Sequence, residues 1–177
     1  MLKVWQPAYV GIGSNLADPP AQVLRAIDHL QGVGGFRLVL RSRLFGSRPL
    51  GPADQPDFVN AVVGGLTDLE PQALLAKLRA LEQAFGRPRQ RPRWGPRVLD
   101  LDLLVQGRAC RNEPQLSLPH PGIPVRNFVL YPLADVAPDL DVPGLGRVAE
   151  LKARVSTEGI WPIELGAAPS VALPSTG

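Results

Sequence analysis

Short apolar segments separated by proline and glycine constrain the fold of this chain more than any other sequence feature. Segments that alternate apolar and polar residues, or that are rich in β-branched residues, predict strands. Segments whose apolar residues recur every three or four positions predict helices, and prolines and glycines mark their ends. In chain order, the predicted elements are a strand at 8–13, a helix from Asp18 to Leu30, strands at 36–47 and 58–66, a helix from Pro71 to Phe85 and a strand at 98–105.

The order βαββαβ is that of the ferredoxin-like arrangement. Beyond this core, the sequence predicts a turn, a short extended piece and a long loop over 107–124, an extended segment at 126–131, a turn of helix at 133–136 and a last helix around 148–155. The predicted fold is therefore α+β, a ferredoxin-like βαββαβ core with an added C-terminal extended segment and helix. We expect one domain over residues 1–165 and a mobile tail over 166–177, because the tail carries no periodic pattern.

The composition is that of a globular chain without a disulfide framework. Of its 177 residues, 45% are hydrophobic and 20% are charged, which is ordinary for a soluble domain. The single cysteine, Cys110, excludes an intrachain disulfide and a cysteine-based zinc site. No apolar run has the length of a membrane span and no signal peptide is recognisable, so we expect a cytoplasmic protein with no membrane partner. The net charge of +3 does not by itself indicate nucleic acid.

Two aspartates interrupt the last strand of the predicted core. Asp100 and Asp102 are two positions apart, so their side chains point to the same face of a strand. Two like charges on a half-buried strand are costly unless a cation lies between them. The preceding loop has arginines at positions 87, 89, 91, 93 and 97, which would otherwise be a solvated charge run. Because carboxylates bind hard cations and guanidinium groups bind phosphates, this stretch predicts a metal–nucleotide site.

Three further motifs are less specific. Phe58 and Asn60 share one face of a predicted strand, where they could bind a flat heterocycle by stacking and hydrogen bonding, although core packing explains Phe58 equally well. His120 lies between two prolines in a predicted turn, upstream of Arg126. The segment Gly11–Gly13 lacks the third glycine of a dinucleotide-binding fingerprint, so we interpret it as a tight exit from a strand.

Taken together, four segments resemble the 6-hydroxymethyl-7,8-dihydropterin pyrophosphokinases of folate biosynthesis. These segments are Tyr9–Leu16, Pro49–Asn60, Arg93–Asp102 and Leu118–Leu130. The tryptophan–arginine–aspartate segment is highly specific to that family. The resemblance implies an ATP-dependent pyrophosphokinase, a transferase that moves a pyrophosphoryl group from ATP to the hydroxymethyl oxygen of the pterin and releases AMP.

The same resemblance implies roles for individual residues. Asp100 and Asp102 would hold two Mg²⁺ ions, and Arg87 and Arg97 would act with them in catalysis. The residues expected to bind ATP are Leu75, Glu82, Arg87, Arg89, Arg93, Trp94, Arg97, Leu103, His120 and Arg126. The residues expected to bind the pterin are Ser47, Leu50, Phe58, Asn60, Trp94 and Phe128. ATP and the reduced pterin are the expected partners, and we expect a monomer that binds no nucleic acid.

Two other functions stay open on the residues alone. Ferredoxin-like folds with basic loops also bind RNA, but the strands here lack an RNP-like aromatic pattern, and the two aspartates would repel phosphate. A Mg²⁺-dependent phosphohydrolase would use the same aspartates and arginines on water, but it would leave Phe58, Asn60 and Trp94 without a role. The chain departs from the family pattern at Arg48, Gly122 and Pro124.

Overall fold

The structure is a computed structural model that describes residues 2–86 and 94–165. Its strands are β1 (Gln6–Ser14), β2 (Phe36–Arg41), β3 (Leu44–Ser47), β4 (Phe58–Thr67), β5 (Asp100–Gln106), β6 (Arg111–Glu113), β7 (Leu116–Leu118), β8 (Asp141–Val142), β9 (Gly146–Arg147) and β10 (Ile160–Ile163). Its helices are α1 (Pro19–Leu30), α2 (Pro71–Ala84), α3 (Asn127–Val136) and α4 (Val148–Arg154). The chain thus has a mixed fold of strands and helices. The tail predicted at 166–177 lies outside the described residues.

The central sheet is antiparallel, and β1 lies between β4 and β5. The order along the sheet is β10-β3-β4-β1-β5, and β2 pairs with the other half of β4. Gly13 of β1 is opposite Asn60 on one side and Asp100 on the other. Gly11 is likewise opposite Asp102. Side chains that are far apart in the sequence therefore lie next to each other across one strand.

Helices cover both faces of the sheet, because each helix buries an apolar stripe. The predicted helices α1 and α2 are confirmed, and they pack against one face through residues such as Ile27 and Leu78. Helices α3 and α4 pack against the other face through Leu130, Leu133 and Leu151. The sheet is thus the middle layer between two apolar cores.

The prediction of an extended segment at 126–131 is wrong, because residues 127–131 form the first half of α3. Its aromatic and β-branched residues favour a strand locally. Packing decides otherwise: Val129, Leu130 and Leu133 are buried together against the sheet, at a spacing that only a helix provides. The helix also brings Phe128, near its start, to the same face of the sheet as Asp100.

Two predicted strands differ from the observed ones in their bounds. The predicted strand 36–47 is interrupted between β2 and β3, where the hydroxyl of Ser42 accepts a hydrogen bond from the backbone of β4 at 2.9 Å. Arg43 leaves the sheet and forms a bidentate pair with Asp135 of α3, with both N–O distances 2.9 Å. Strand β5 begins at Asp100, two residues later than predicted. The sequence alone did not reveal these tertiary contacts.

Two short hairpins, β6–β7 and β8–β9, flank the sheet. The sequence predicted only a short extended piece in the region of the first hairpin. None of the helices in the two described ranges has the length and apolar character needed to cross a membrane.

Candidate active site

A cavity opens on the face of the sheet that carries α3, and its volume of about 700 Å³ includes space that is open to solvent. Gly11 and Gly13 of β1 form part of its wall: a Cβ on Gly13 would lie 3.6 Å from Oδ1 of Asn60, and one on Gly11 would lie 3.5 Å from Leu104. The segment belongs to the end of β1, which leaves the sheet after Ser14, one residue later than predicted. The absence of side chains at these two positions leaves space of the size that small-molecule sites require.

The two aspartates both line this cavity, as the alternation along β5 predicts. Oδ2 of Asp100 lies 2.6 Å from Nη1 of Arg97, and Oδ1 of Asp102 lies 3.9 Å from Nε2 of His120. Burial and the negative charge of Asp100 raise the pKa of Asp102 above its usual value, and nearby cationic side chains oppose this only in part. The ionised form of Asp102 is therefore disfavoured here, and a bound cation would stabilise it.

The composition of this carboxylate pair indicates which metal it could hold. Within residues 2–86 and 94–165, no group of three or more histidine, cysteine, aspartate or glutamate side chains is arranged to bind a metal ion. Two carboxylates beside an open cavity suit Mg²⁺, which takes one or two protein carboxylates and fills its remaining positions with water and substrate phosphates. The residues present therefore fit Mg²⁺ better than a metal that needs a complete protein cage.

Hydrogen-bond donors surround the carboxylates. Nε of Arg97 is buried and has no hydrogen-bond partner among the described residues. Nδ1 of His120 accepts a hydrogen bond from the backbone N–H of Gly122 at 3.0 Å, so Nε2 is the nitrogen that carries the proton on the side of Asp102. Burial lowers the pKa of His120, which favours the neutral ring. Because a buried donor without a partner is costly, an anionic ligand would stabilise this arrangement.

The other end of the cavity is aromatic. Phe58 and Phe128 line it from β4 and α3. Nδ2 of Asn60 donates to Oγ of Ser47 at 2.8 Å and to a backbone carbonyl of β3 at 3.2 Å. Its Oδ1 accepts no hydrogen bond from the described residues and lies beside Gly13, so it offers an acceptor to a ligand. Two rings and one amide oxygen suit a flat heterocycle with N–H groups.

Arg126 and Trp94 lie between the charged and the aromatic ends. The guanidinium carbon of Arg126 is 4.8 Å from the ring centroid of Trp94 and 5.9 Å from that of Phe128. These distances allow cation–π contacts. Trp94 has a φ of 65°, in the left-handed region that non-glycine residues rarely adopt. Tertiary contacts must therefore hold its backbone in place.

Two buried amides, neither of which was predicted as a site residue, supply such contacts. Oδ1 of Asn15 accepts a hydrogen bond from the backbone N–H of Arg97 at 2.7 Å, and Nδ2 donates to Oε1 of Gln55 at 3.1 Å and to the carbonyl of Pro56 at 2.9 Å. Nε2 of Gln55 donates to the carbonyl of Trp94 at 2.8 Å. These bonds join three loops at the cavity. Both residues belong to segments that carry the family resemblance, which was the only signal for them in the sequence.

The structure brings most of the predicted site residues together. Those that line the cavity are Ser47, Leu50, Phe58, Asn60, Trp94, Arg97, Asp100, Asp102, Arg126 and Phe128. His120 adjoins them through Asp102. The cavity is also lined by Arg48 and Gly51, which were not predicted to bind a ligand.

Three of the remaining predicted residues lie away from the cavity. Leu103 is buried in the core between the sheet and α1 and α2, and Leu75 packs against the same core. The carboxylate of Glu82 is buried, and Oε1 accepts a hydrogen bond from the backbone N–H of Leu101 at 2.7 Å. None of these three lines the cavity. The predicted residues Arg87, Arg89 and Arg93 lie outside the described residues.

Comparison with known proteins identifies the family. The family model described as 7,8-dihydro-6-hydroxymethylpterin-pyrophosphokinase (HPPK) matches residues 9–138, a range that includes every residue lining the cavity. The chain belongs to this family. A 2-amino-4-hydroxy-6-hydroxymethyldihydropteridine pyrophosphokinase from Pseudomonas aeruginosa is 49% identical over 155 residues, which cover 88% of this chain and 95% of the relative. One of the same description from Methylorubrum extorquens is 43% identical over 157 residues, which cover 89% and 98%.

Solved structures support the HPPK assignment at the level of the fold. The Plasmodium falciparum HPPK-DHPS wild type with pteroate has a TM-score of 0.66 and 12% identity, with 86% of this chain and 43% of that chain covered. The same protein with pterin and p-hydroxybenzoate gives a TM-score of 0.66 and 13% identity, with 85% and 42% covered. This chain therefore spans less than half of those solved chains. The similarity concerns a mixed α/β fold with an antiparallel sheet and four helices in the described residues.

Proposed function

We propose that this cavity carries out the reaction for which the family is named: the transfer of a pyrophosphoryl group from ATP to the hydroxymethyl group of 6-hydroxymethyl-7,8-dihydropterin, in folate biosynthesis. One observation carries the proposal. A single cavity joins a carboxylate pair and arginines at one end to two phenylalanines and an amide acceptor at the other. The charged end suits a triphosphate and the aromatic end suits a flat heterocycle. A phosphohydrolase would have no use for the second end.

In this reaction the hydroxymethyl oxygen attacks the β-phosphorus of ATP. The bond between that phosphorus and the oxygen that bridges to the α-phosphate breaks, AMP leaves, and the hydroxyl proton is released. Such a transfer depends on positioning and charge neutralisation more than on covalent catalysis. Arg97, whose buried Nε has no partner in the part of the chain that the structure describes, and Arg126 would neutralise the phosphate oxygens. Nε2–H of His120 would donate one hydrogen bond to them.

The pterin would occupy the aromatic end. Phe58 and Phe128 would contact its two faces, and Oδ1 of Asn60 would accept a hydrogen bond from an N–H group on its edge. Ser47 contributes indirectly, since its hydroxyl accepts from Nδ2 of Asn60 and thereby directs Oδ1 toward the ligand. The hydroxymethyl group would then point toward the carboxylates.

We infer that Asp100 and Asp102 hold Mg²⁺, with two ions in the complete complex. The raised pKa of Asp102 supports this inference, because a carboxylate beside a second carboxylate is more stable with a cation than without one. Bound Mg²⁺ supplies positive charge to the oxygens of the transferred group. The chain's own contribution is the fixed strand β5, which keeps both carboxylates on one face.

We further propose that the core is ferredoxin-like and that residues 1–165 form one domain. The order β3-β4-β1-β5, with α1 after β1 and α2 after β4, supports the first point. One sheet that includes both Gln6 and Ile163 supports the second. We also propose a monomer that acts on small molecules and not on nucleic acid, as the resemblance to the family implies.

The function is tested by incubating the protein with ATP, Mg²⁺ and 6-hydroxymethyl-7,8-dihydropterin and separating the nucleotides. We expect AMP to form in an amount equal to the pterin diphosphate, and only when the pterin is present. Formation of ADP, or nucleotide cleavage without pterin, would contradict the proposal and favour a phosphohydrolase.

Two variants link the activity to the two ends of the cavity. Phe128→Ala should weaken pterin binding more than ATP binding, because it removes one aromatic wall. Arg97→Met should do the reverse, because it removes a phosphate donor. Calorimetry with each ligand separates the two effects, and equal effects of both variants on both ligands would contradict the assignment of the two ends.

A further inference from the structure

Strand β5 carries the two candidate metal-binding carboxylates and is the last strand at one end of the sheet, as far as the structure describes the chain. It pairs with β1 on one side only. In an antiparallel pair, successive residues direct their backbone N–H and C=O groups alternately to the partner strand and to the opposite edge. The outer edge of β5 therefore needs partners that are not supplied by a strand.

Helix α2 supplies these partners at Leu101, the residue between the two aspartates. Oε1 of Glu82 accepts a hydrogen bond from the N–H of Leu101 at 2.7 Å. Nη1 of Arg79 donates to the carbonyl of Leu101 at 3.3 Å. Glu82 and Arg79 are three positions apart on the helix, so both face the same strand residue.

The two helix residues also pair with each other. Nη1 of Arg79 lies 2.9 Å from Oε1 and 3.1 Å from Oε2 of Glu82, whose side chain is completely buried. A buried carboxylate needs compensating positive charge, and removal of a cationic partner is destabilising. Arg79 is one such partner, and it helps to keep the carboxylate of Glu82 next to Leu101.

We propose that Arg79 is a positioning residue for the reaction: through Glu82 and the carbonyl of Leu101, it fixes the backbone between Asp100 and Asp102 and so sets the relative direction of their carboxylates. This proposal rests on the proposed function, since it assumes that these carboxylates hold the metal. Arg79 does not line the cavity. It acts through the strand and not by contact with the substrate.

The contacts of Arg79 and Glu82 hold the N–H and the carbonyl of Leu101 from one side. Without them, the backbone between the two aspartates is less restrained. The geometry therefore predicts that loss of Arg79 weakens metal binding, although no atom of Arg79 needs to touch the metal.

The test uses Mn²⁺ as the probe, titrated by electron paramagnetic resonance in the presence of a non-hydrolysable ATP analogue. We expect Arg79→Met to weaken Mn²⁺ binding about tenfold, the lower end of what removal of a supporting group around a metal site costs. We expect Arg79→Lys to recover part of this loss, because it keeps the charge but not the planar guanidinium group. Pterin affinity, measured by fluorescence, should stay unchanged in both variants.

Lys77→Met is the matched control. It removes a positive charge from an exposed position of the same helix and should leave Mn²⁺ binding unchanged. If Arg79→Met folds poorly, the double variant Arg79→Met/Glu82→Gln removes the buried charge and keeps an acceptor for the N–H of Leu101. We expect this double variant to fold and still to bind Mn²⁺ more weakly than the wild type.

Three results would overturn the proposal. The first is wild-type Mn²⁺ affinity in Arg79→Met or in the double variant. The second is an equal loss of Mn²⁺ and pterin affinity, which would make Arg79 a general stabiliser of the fold. The third is a wild-type protein that binds no Mn²⁺, which would also overturn the metal role of the aspartates. If the wild type binds Mn²⁺ but forms no AMP with pterin, the proposed function fails, and the comparison of variants still decides the role of Arg79.

Discussion

The amide of Asn15 gives the sharpest test of how the site is held together. Asn15 is 1% exposed and its side chain makes three hydrogen bonds, to the N–H of Arg97, to Oε1 of Gln55 and to the carbonyl of Pro56. Asn15→Ala removes all three and leaves three polar groups without these partners. The loop that leads to Arg97 and the loop around Gln55 would then be joined by fewer contacts.

The expected magnitude follows from this count of bonds. Each hydrogen bond contributes about 1 kcal/mol net, and a buried group left unpaired costs about 1–3 kcal/mol. Water can reach part of this network once the side chain is removed, which limits the loss. We therefore expect Asn15→Ala to lower the free energy of unfolding by about 3 kcal/mol. Asn15→Asp should be at least as destabilising, because it places an oxygen opposite Oε1 of Gln55 and the carbonyl of Pro56.

Urea denaturation of the variants measures this effect. The control is Asn112→Ala, at an exposed position of β6, for which we expect a change within about 0.5 kcal/mol. Asn15→Ala should also have a raised KM for ATP, because the backbone N–H of Arg97 loses its acceptor and only the backbone hydrogen bond from the N–H of residue 15 to the carbonyl of Arg97 remains. An unfolding free energy of Asn15→Ala equal to that of Asn112→Ala would refute the idea that these hydrogen bonds hold the loops.

Three further predictions concern charge and packing. Burial and the neighbouring carboxylate raise the pKa of Asp102, so its ionised form destabilises the folded state at pH 7. Asp102→Asn should therefore raise the thermal midpoint at pH 7 without Mg²⁺ and ATP, and it should abolish AMP formation. An unchanged midpoint would contradict this electrostatic argument. Burial would raise the pKa of Asp135, but hydrogen bonds from Arg43 outweigh this effect and hold the pKa below its usual value. The destabilisation by Asp135→Asn should therefore be full above about pH 4 and vanish as the pH falls through the pKa of the folded state. Equal urea midpoints of variant and wild type at pH 7 would contradict this. Gly46→Ala should lower the free energy of unfolding by about 1–3 kcal/mol, because the added Cβ would collide with the indole of Trp161. A thermal midpoint equal to that of the wild type would contradict this and show that β10 can move aside.

The local parts of this structure could be predicted from the sequence. The apolar stripe of α2 and the prolines at the starts of both early helices fix elements whose cause lies within a few residues. The alternation that places Asp100 and Asp102 on one face is equally local, and the cavity confirms it. The same holds for Phe58 and Asn60, which reach the aromatic end together.

Other features depend on contacts that no local pattern contains. The start of α3 has the composition of a strand, and it is helical because Val129 and Leu130 are buried against the sheet. The family resemblance implies that Glu82 binds ATP, yet its carboxylate accepts a hydrogen bond from the backbone of Leu101 and does not line the cavity. The link between Asn15 and Gln55 joins two loops that the sequence presents as unrelated.

The glycines of β1 show most clearly why the site is a property of the sheet and not of one motif. Gly13 lies between Asn60 and Asp100, so the amide that suits a pterin and the carboxylate that suits a metal are neighbours across a single strand. Because side chains alternate along a strand, a slip of one residue in the pairing of β1 would turn one set of groups away from the cavity. The absence of a side chain at Gly13 then leaves open the space between the two ends. The reaction therefore requires the register of β1 against both neighbours, and this explains why the Gly–Ile–Gly segment has a role that a search for nucleotide-binding motifs misses.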